Sequence, residues 1–320
     1  MQLPYIKQWR RVEPRAGAVA ASENERAMSL AQELRRDVVM LSEHIGTRGV
    51  HSPKAYRLAR EFLVSCLQRA GHVVKQHEYD EDGVTCANLE VVIEGDNPRA
   101  LVVGAHYDSV ENCPAANDNA SGVAGILALA RRLHGVKPKH TIRLVLFANE
   151  EPPYFNLNAM GSQIYARACK ARADELVGMI CLETIGCFLH ESGSQNWPSG
   201  IAGLVLPTTG DFISFVGDTS SRGFIKRCAE VFGERAEVPL LAGAVPASVA
   251  PMVVWSDHRG FNESGYEAFM VTDTAPLRYK HYHQPTDTHE KLDYMTMARV
   301  MMGVERVVRA VAVRPTLTIS

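Results

Sequence analysis

Three short stretches place histidine and acidic residues directly after apolar runs. His106 and Asp108 follow the run LVVGA, and the adjacent acids Glu150 and Glu151 follow the run TIRLVLFAN. Glu183 follows LVGMICL in the same way. Imidazole and carboxylate groups without thiolates form a nitrogen and oxygen ligand set that suits zinc, cobalt or manganese. The sequence therefore predicts chemistry based on divalent metal ions.

Two more polar stretches have the same relation to apolar runs. Asp118, within Asn-Asp-Asn-Ala-Ser-Gly, precedes a helical pattern, and Asp273 ends the strand-like run YEAFMVT. The run from Asp273 leads to His283 in RYKHYHQPTDTHEKLD. The carboxyl ends of parallel strands lie along one edge of a sheet, so these groups are expected to converge. A carboxylate there can bridge two metal ions roughly 3.5 to 4 Å apart, and one of two adjacent acids can relay protons.

The elements that would position these groups alternate along the chain. Amphipathic helices are predicted from Ser22 and from Ser52, the second ending at Gly71, and a strand pair follows with its turn at Glu81-Asp82-Gly83. Apolar strands then alternate with helices, which is typical of a sheet covered on both faces. We therefore predict a three-layer α/β/α fold with a mixed, mostly parallel central sheet.

Composition limits the other possibilities. The chain has 320 residues, 46% hydrophobic and 22% charged, with a formal net charge of -2. This balance argues against a nucleic-acid partner, and no apolar run reaches the roughly 18 residues of a membrane span. The seven cysteines include no Cys-x-x-Cys pair and favour a cytoplasmic protein. Residues 1–22 are interpreted as an N-terminal arm, not a secretion signal, and 23–320 as one catalytic domain.

The remaining features are assigned by their surroundings. The apolar segment 238–254, rich in Pro and Ala, has neither helical nor strand periodicity and is predicted to line a substrate pocket that favours a hydrophobic side chain. His258 is equally compatible with a position in the pocket wall and with a purely structural role. His281 and His289 are predicted to lie at the surface. Cys181 and Cys187 are expected to be inert buried thiols.

Six ordered motifs together resemble the zinc aminopeptidase family that includes bacterial double-zinc leucyl aminopeptidases, glutamate carboxypeptidases and glutaminyl cyclases. The motifs are AHYDS, NDNASG, NEE, LETIG, SDHRGF and YHQPTDTHEKLD. The resemblance extends from about Glu25 to the last helix. It implies a zinc-exopeptidase fold, two bound divalent metal ions, most simply zinc, and a peptide or aminoacyl substrate.

The resemblance also implies a role for each matching residue. His106 and Glu183 would bind one metal, Glu151 and His283 the other, and Asp118 both. The catalytic residues would be Glu150, as general base, and Asp108, which would accept a ring hydrogen of His106. The peptide between Asp118 and Asn119 is expected to be cis. Glu183 is the one departure, because the aminopeptidases usually have Asp there.

Three functions remain open at this point. The first is a metal-dependent exopeptidase, specifically an aminopeptidase that hydrolyses N-terminal residues. The second is a single-metal glutaminyl cyclase, in which the amine of the substrate is the nucleophile. The third is an inactive binding module on the same fold. The sequence has no His-Glu-x-x-His, Gly-x-Ser-x-Gly, Walker or dinucleotide motif, which argues against the other common hydrolases and against dehydrogenases.

Overall fold

A central sheet organises the protein in the computed structural model, which describes residues 9–14, 20–155, 157–198 and 204–313. Nine strands of the described chain form this sheet, in the order β1-β8-β7-β9-β6-β4-β5-β3-β2. The strands are β1 (Arg10–Val12), β2 (Val74–Glu81), β3 (Val84–Ile93), β4 (Asn97–His106), β5 (His140–Phe147), β6 (Leu176–Leu182), β7 (Ile213–Gly217), β8 (Leu240–Ala244) and β9 (Ala268–Thr272).

Parallel pairing is concentrated in the middle of the sheet. The strands β5, β4, β6 and β9 are parallel neighbours, and β7 pairs parallel with β8. The other four pairings of the described strands, including β7 with β9, are antiparallel. The sheet is therefore mixed, as predicted, and the four central strands, which precede the predicted metal-binding motifs, all point the same way.

Helices cover both faces of the sheet and confirm the three-layer prediction. They are α1 (Ala21–Val39), α2 (Pro53–Arg69), α3 (Gly122–Leu133), α4 (Gly161–Ala171), α5 (Arg222–Gly233), α6 (His258–Glu263), α7 (Ala275–Arg278) and α8 (Tyr294–Ala312). Buried side chains of α1, α2, α3, α5 and α8 form the larger core with one face. Those of α4 and α6 pack on the other face.

Local sequence explains several element boundaries. Pro53 opens α2, where its missing N–H is not needed, and Gly71 follows the helix with φ +89°, which favours glycine. The turn between β2 and β3 uses Asp82 and Gly83, both with positive φ. In contrast, Ser22 does not cap α1, because that helix begins at Ala21 and has no side-chain cap.

The N-terminal part of the chain contributes an edge strand. Within the predicted arm, β1 pairs antiparallel with β8, Arg10 lying opposite Ala242. Residues 1–8 and 15–19 of that arm lie outside the described residues. The division into an arm and one catalytic domain stays a prediction. Among the described helices, none combines the length and the apolar character that crossing a bilayer requires.

Candidate metal centre

The ends of three parallel strands bring the predicted site residues together. His106 is the last residue of β4, Glu150 and Glu151 lie just beyond β5, and Glu183 comes directly after β6. Asp118 lies in the short helical segment Ala116–Ser121 that precedes α3. All of these side chains are buried, with at most 9% of any residue exposed. The expected convergence at one edge of the sheet is therefore present in the structure.

His106 occupies one half of the cluster. Its Nε2 lies 3.3 Å from Asp118 Oδ1, 3.3 Å from Glu183 Oε2 and 3.9 Å from Glu150 Oε2. The Oε2 of Glu183 also accepts a hydrogen bond from Ser256 Oγ at 2.6 Å. These groups surround the outward ring nitrogen of His106 with three carboxylates.

His283 occupies the other half. Its Nε2 lies 3.0 Å from Asp118 Oδ2 and 3.3 Å from Glu151 Oε2. The ring stacks on that of Tyr282, with centroids 3.9 Å apart and planes inclined by 17°. The two oxygens of Asp118 thus face different partners, one towards His106 and one towards His283.

Asp108 holds the backbone of both acids that follow β5. Its Oδ1 accepts the N–H of Glu150 at 3.1 Å, and its Oδ2 accepts the N–H of Glu151 at 3.0 Å. The resemblance implied that Asp108 also accepts a ring hydrogen of His106; His106 Nδ1 lies 3.4 Å from Asp108 Oδ1, and this role stays a prediction. The bonds that Asp108 makes in the structure therefore fix the loop of Glu150 and Glu151.

Several buried atoms of the cluster have no hydrogen-bond partner among the described residues. They are both ring nitrogens of His106, Asp118 Oδ1, Glu151 Oε1 and His283 Nε2. One ligand atom each from His106, Asp118 and Glu151 lie within 4.8 Å of one another. Unpaired buried polar atoms are costly, and a metal ion is a partner that such nitrogen and oxygen atoms can share. The residues present fit a divalent metal.

Burial and mutual repulsion shift the titration of these groups. Burial raises the pKa of Glu150 well above the ordinary carboxyl value, and Glu183 adds to this while His106 opposes it. Burial alone would also raise the pKa of Asp118, but its contacts with His106 and His283 bring it below the ordinary value. Deprotonated Asp118 is the form that can bind metal.

A family model decides which group of proteins this site belongs to. The model described as Peptidase family M28 matches residues 88–308, which is more than half of the chain. The chain belongs to peptidase family M28. The match confirms the resemblance inferred from the six motifs, and it includes every residue of the cluster.

Relatives of this M28 peptidase agree with the assignment. The uncharacterized protein YfbL of Escherichia coli is 32% identical over 281 residues, 85% of this chain and 86% of that protein. A zinc aminopeptidase from Bacillus subtilis has a similar fold, with a TM-score of 0.71 over 90% of this chain and 96% of that one, at 14% identity. The glutaminyl cyclase of Fimbriiglobus ruber has a TM-score of 0.61 over 92% and 97% of the two chains, at 21% identity.

Other residues that support the M28 site were not anticipated from the sequence. Arg48 is fully buried and donates to the carbonyl oxygens of Tyr107, Pro114 and Ala115, on both sides of the loop that leads to Asp118. No local pattern marks this arginine, since its partners are about 60 residues away in sequence. A buried guanidinium with backbone acceptors holds that loop in place.

Two buried aspartates anchor the chain around Asp118. Asp287 accepts the backbone N–H groups of Asn117 and Asp118, at 2.9 and 3.1 Å. Asp273, grouped above with the strand-end acids, accepts hydrogen bonds from the side chains of Asn117 and Thr184, not from His106 or His283. Both acids therefore position loops. The Asp118–Asn119 peptide is cis, as the family resemblance implied.

The other histidines take structural places. The ring of His258 is fully buried, and its Nε2 lies 2.8 Å from the carbonyl oxygen of Val253. His281 is partly exposed and contacts Thr286. The surface prediction for His289 was wrong, because this ring is buried with its Nε2 2.8 Å from Glu43. Cys181 and Cys187 are buried free thiols, as expected.

Buried His258 predicts a pH dependence of stability. Burial lowers the pKa of His258 from 6.5 to about 4, so the unfolded chain binds the proton more readily than the folded one. The stabilisation is complete above pH 6.5 and is lost as the pH falls towards 4, by on the order of 3 kcal/mol. His258→Gln should therefore show a shallower fall in Tm over this range than the wild type. Parallel pH profiles of Tm would contradict this.

An apolar cavity of ≈ 480 Å³ opens beside Glu183. Its walls include Trp9, Trp197 and Trp255 together with residues 249–253, and its floor is formed by side chains of β7 and β9. The second half of the predicted pocket segment therefore lines a cavity, and its contact with substrate stays a prediction. The first half of the segment, Leu240–Ala244, forms β8 inside the sheet and lacks the alternation of a half-exposed strand because both faces are buried.

Proposed function

We propose that this M28 peptidase is a zinc-dependent aminopeptidase with two metal ions. The observation that carries the proposal is the placement of Asp118, whose Oδ1 faces His106 and whose Oδ2 faces His283. A carboxylate between two sets of donors is the arrangement of a bridging ligand. The description of the Bacillus subtilis protein as a zinc aminopeptidase supports the choice of zinc.

The donor atoms divide into two sets around Asp118. We assign His106 Nε2 and Glu183 to one ion, and His283 Nε2 and Glu151 to the other. The unpaired buried atoms His106 Nε2, Asp118 Oδ1, Glu151 Oε1 and His283 Nε2 are those that this assignment would satisfy. When bound, the metal supplies Lewis acidity that activates water and polarises the scissile carbonyl.

Glu150 is assigned as the general base. It lies beside the cluster, 3.9 Å from His106 Nε2, and is buried with a raised pKa. A base of this kind accepts a proton from the attacking water and later donates it to the departing amine. Asp108 acts through the backbone, since it fixes the N–H groups of Glu150 and Glu151 and so sets the distance between base and ligand.

Charge favours cleavage at the amino terminus of the substrate. Glu183 is the only charged residue among the described side chains that line the cavity, and no Lys or Arg is present there to hold a terminal carboxylate. Without such a cation a buried substrate carboxylate would lie unpaired, so the amino terminus is the end of the substrate that fits this cavity.

A substrate panel with parallel metal analysis tests the function. Aminoacyl p-nitroanilides and short peptides with free amino termini should be hydrolysed, whereas the same peptides with acetylated termini should not. A peptide with N-terminal glutamine separates the alternatives by product mass, because a cyclase releases ammonia and keeps all residues. Cyclisation without hydrolysis would support the cyclase, and no reaction by a zinc-loaded protein would support an inactive module.

Glu183 stands where the aminopeptidases usually have Asp, and this difference predicts that the two metal ions bind with unequal affinity. The carboxylate accepts hydrogen bonds from Ser256 and Asn119 through its Oε2, and its extra methylene changes how it reaches the ion. The ion beside His106 should therefore be held more weakly, and titration with a chelator should show two steps. Glu183→Asp should move the weaker step and leave the stronger one nearly unchanged. A single loss of both ions, unaffected by this substitution, contradicts the assignment.

We propose a cytoplasmic location. All seven cysteines are buried free thiols, including the pair Cys181 and Cys187 beside the site. Reduced thiols are typical of proteins in a reducing compartment. Cell fractionation with a periplasmic marker as the control tests this location.

A further inference from the structure

The cavity beside Glu183 has a polar far end. It begins at Glu183 and Thr184 after β6, crosses β9 at Met270 and Thr272, and reaches Ser214 and Val216 on β7. Neighbouring strands are ~4.8 Å apart, so β7 lies roughly 10 Å from β6. A large side chain on a residue bound at the metal end would extend over this distance.

Trp9 closes the far end from the opposite side. It precedes Arg10, which pairs with Ala242 of β8, and its indole lies flat on Gly243. A Cβ at Gly243 would come within 2.6 Å of the ring, so glycine is needed for this close approach. The indole packs against the cluster of Leu206, Phe212 and Leu241, and Leu241 is the β8 partner of Ser214. Trp9 therefore reaches back over β8 towards Ser214.

Ser214 and Trp9 each have a hydrogen-bonding group without a partner among the described residues. The hydroxyl of Ser214 is fully buried and has no partner among the described residues. The indole N–H of Trp9 is likewise buried without one. Trp197 lines the same cavity but donates its N–H to the carbonyl of Pro207 at 2.8 Å. An indole donates only, whereas a hydroxyl both donates and accepts.

We propose that this cavity is a specificity pocket for an N-terminal tyrosine, whose phenol hydroxyl accepts from Trp9 and donates to Ser214. The aromatic and apolar walls fit the ring, and the two unpaired groups fit the hydroxyl at its end. Trp9 lies outside residues 88–308, so the family model does not describe this wall. The proposal rests on the proposed aminopeptidase function and names its preferred substrate.

The first test is kinetic. For the zinc-loaded full-length protein, kcat/KM for tyrosyl p-nitroanilide should exceed that for phenylalanyl p-nitroanilide by about tenfold or more, because phenylalanine leaves both buried groups unpaired. Ser214→Ala and Trp9→Phe should each remove most of this ratio, chiefly by lowering kcat/KM for the tyrosyl substrate. Trp197→Phe is the matched control, since its N–H is already bonded, and it should retain the ratio. Equal kcat/KM for the two substrates in the wild type overturns the proposal.

The second test measures binding without cleavage. The three tryptophans of the chain all line this cavity, so their fluorescence reports its occupancy directly. L-Tyrosinol and L-phenylalaninol have the side chain and the amine but no bond to cleave. Tyrosinol should bind about tenfold more tightly, and Ser214→Ala should remove this difference. If this preference is present but no substrate is hydrolysed, the peptidase function fails and the pocket assignment stands. Equal binding of the two alcohols overturns the pocket assignment whatever the activity.

Discussion

Replacing Glu150 with Gln is expected to lower turnover by about 10²-fold or more while the zinc content stays unchanged. The substitution keeps the size of the side chain and its place beside His106 but removes the group that accepts the proton. Turnover on an aminoacyl p-nitroanilide and metal content by plasma emission would be measured on the same preparation. Glu111→Gln, a change at an exposed acid, is the matched control and should leave both values unchanged.

Either of two results would contradict this role. If Glu150→Gln retained turnover, another group would have to be the base. If zinc were lost together with activity, Glu150 would be a ligand, and the division of labour between Glu150 and Glu151 would be wrong.

Replacing Asp118 with Asn is expected to have the larger effect on metal binding. Both oxygens of Asp118 face histidine nitrogens, and an amide can offer only one oxygen without charge. We expect the zinc content after dialysis to fall from two ions to one or fewer and hydrolysis to be lost.

Asp287→Asn provides the comparison for that variant. Asp287 holds the backbone N–H groups of Asn117 and Asp118 and accepts the hydroxyl of Tyr279, but it contacts neither His106 nor His283. Its loss should therefore weaken metal affinity by roughly 10- to 100-fold without removing a ligand. Equal zinc content in the wild type and Asp118→Asn would exclude a bridging role. A greater metal loss in Asp287→Asn than in Asp118→Asn would also contradict the assignment.

The sequence predicted the elements whose burial produces a local run of apolar residues. The continuous apolar runs of β4, β5, β6 and β9 and the order of the motifs after them predicted the sheet edge on which the site is built. Strand direction has no such pattern, so the antiparallel pairing of β7 with β9 could not be read from the chain. The strand β1 has only three residues and is stabilised by pairing with β8, which lies more than 200 residues away in sequence. The residues around β1 therefore give no indication of this pairing.

The supporting residues could not be predicted for the same reason. Arg48, Asp273 and Asp287 owe their roles to partners far away in sequence, and an isolated Arg or Asp in a loop normally lies in solvent. Trp9 is a similar case, because its place over Gly243 depends on the register of β1. Residue types identified the metal-binding groups, whereas the groups that hold them depend on tertiary contacts.

The shared anchor of Glu150 and Glu151 affects how this site can diverge in evolution. Because one carboxylate, Asp108, holds the backbone of both acids, a change at Asp108 disturbs proton transfer and metal affinity together. If Glu150 is the base, a change at Glu150 alone would remove proton transfer and spare metal affinity. On the proposed roles, a single substitution at Glu150 would thus convert the hydrolase into a metal-loaded binder of amino termini, whereas loss of metal would begin with the residue that serves both donor sets, Asp118.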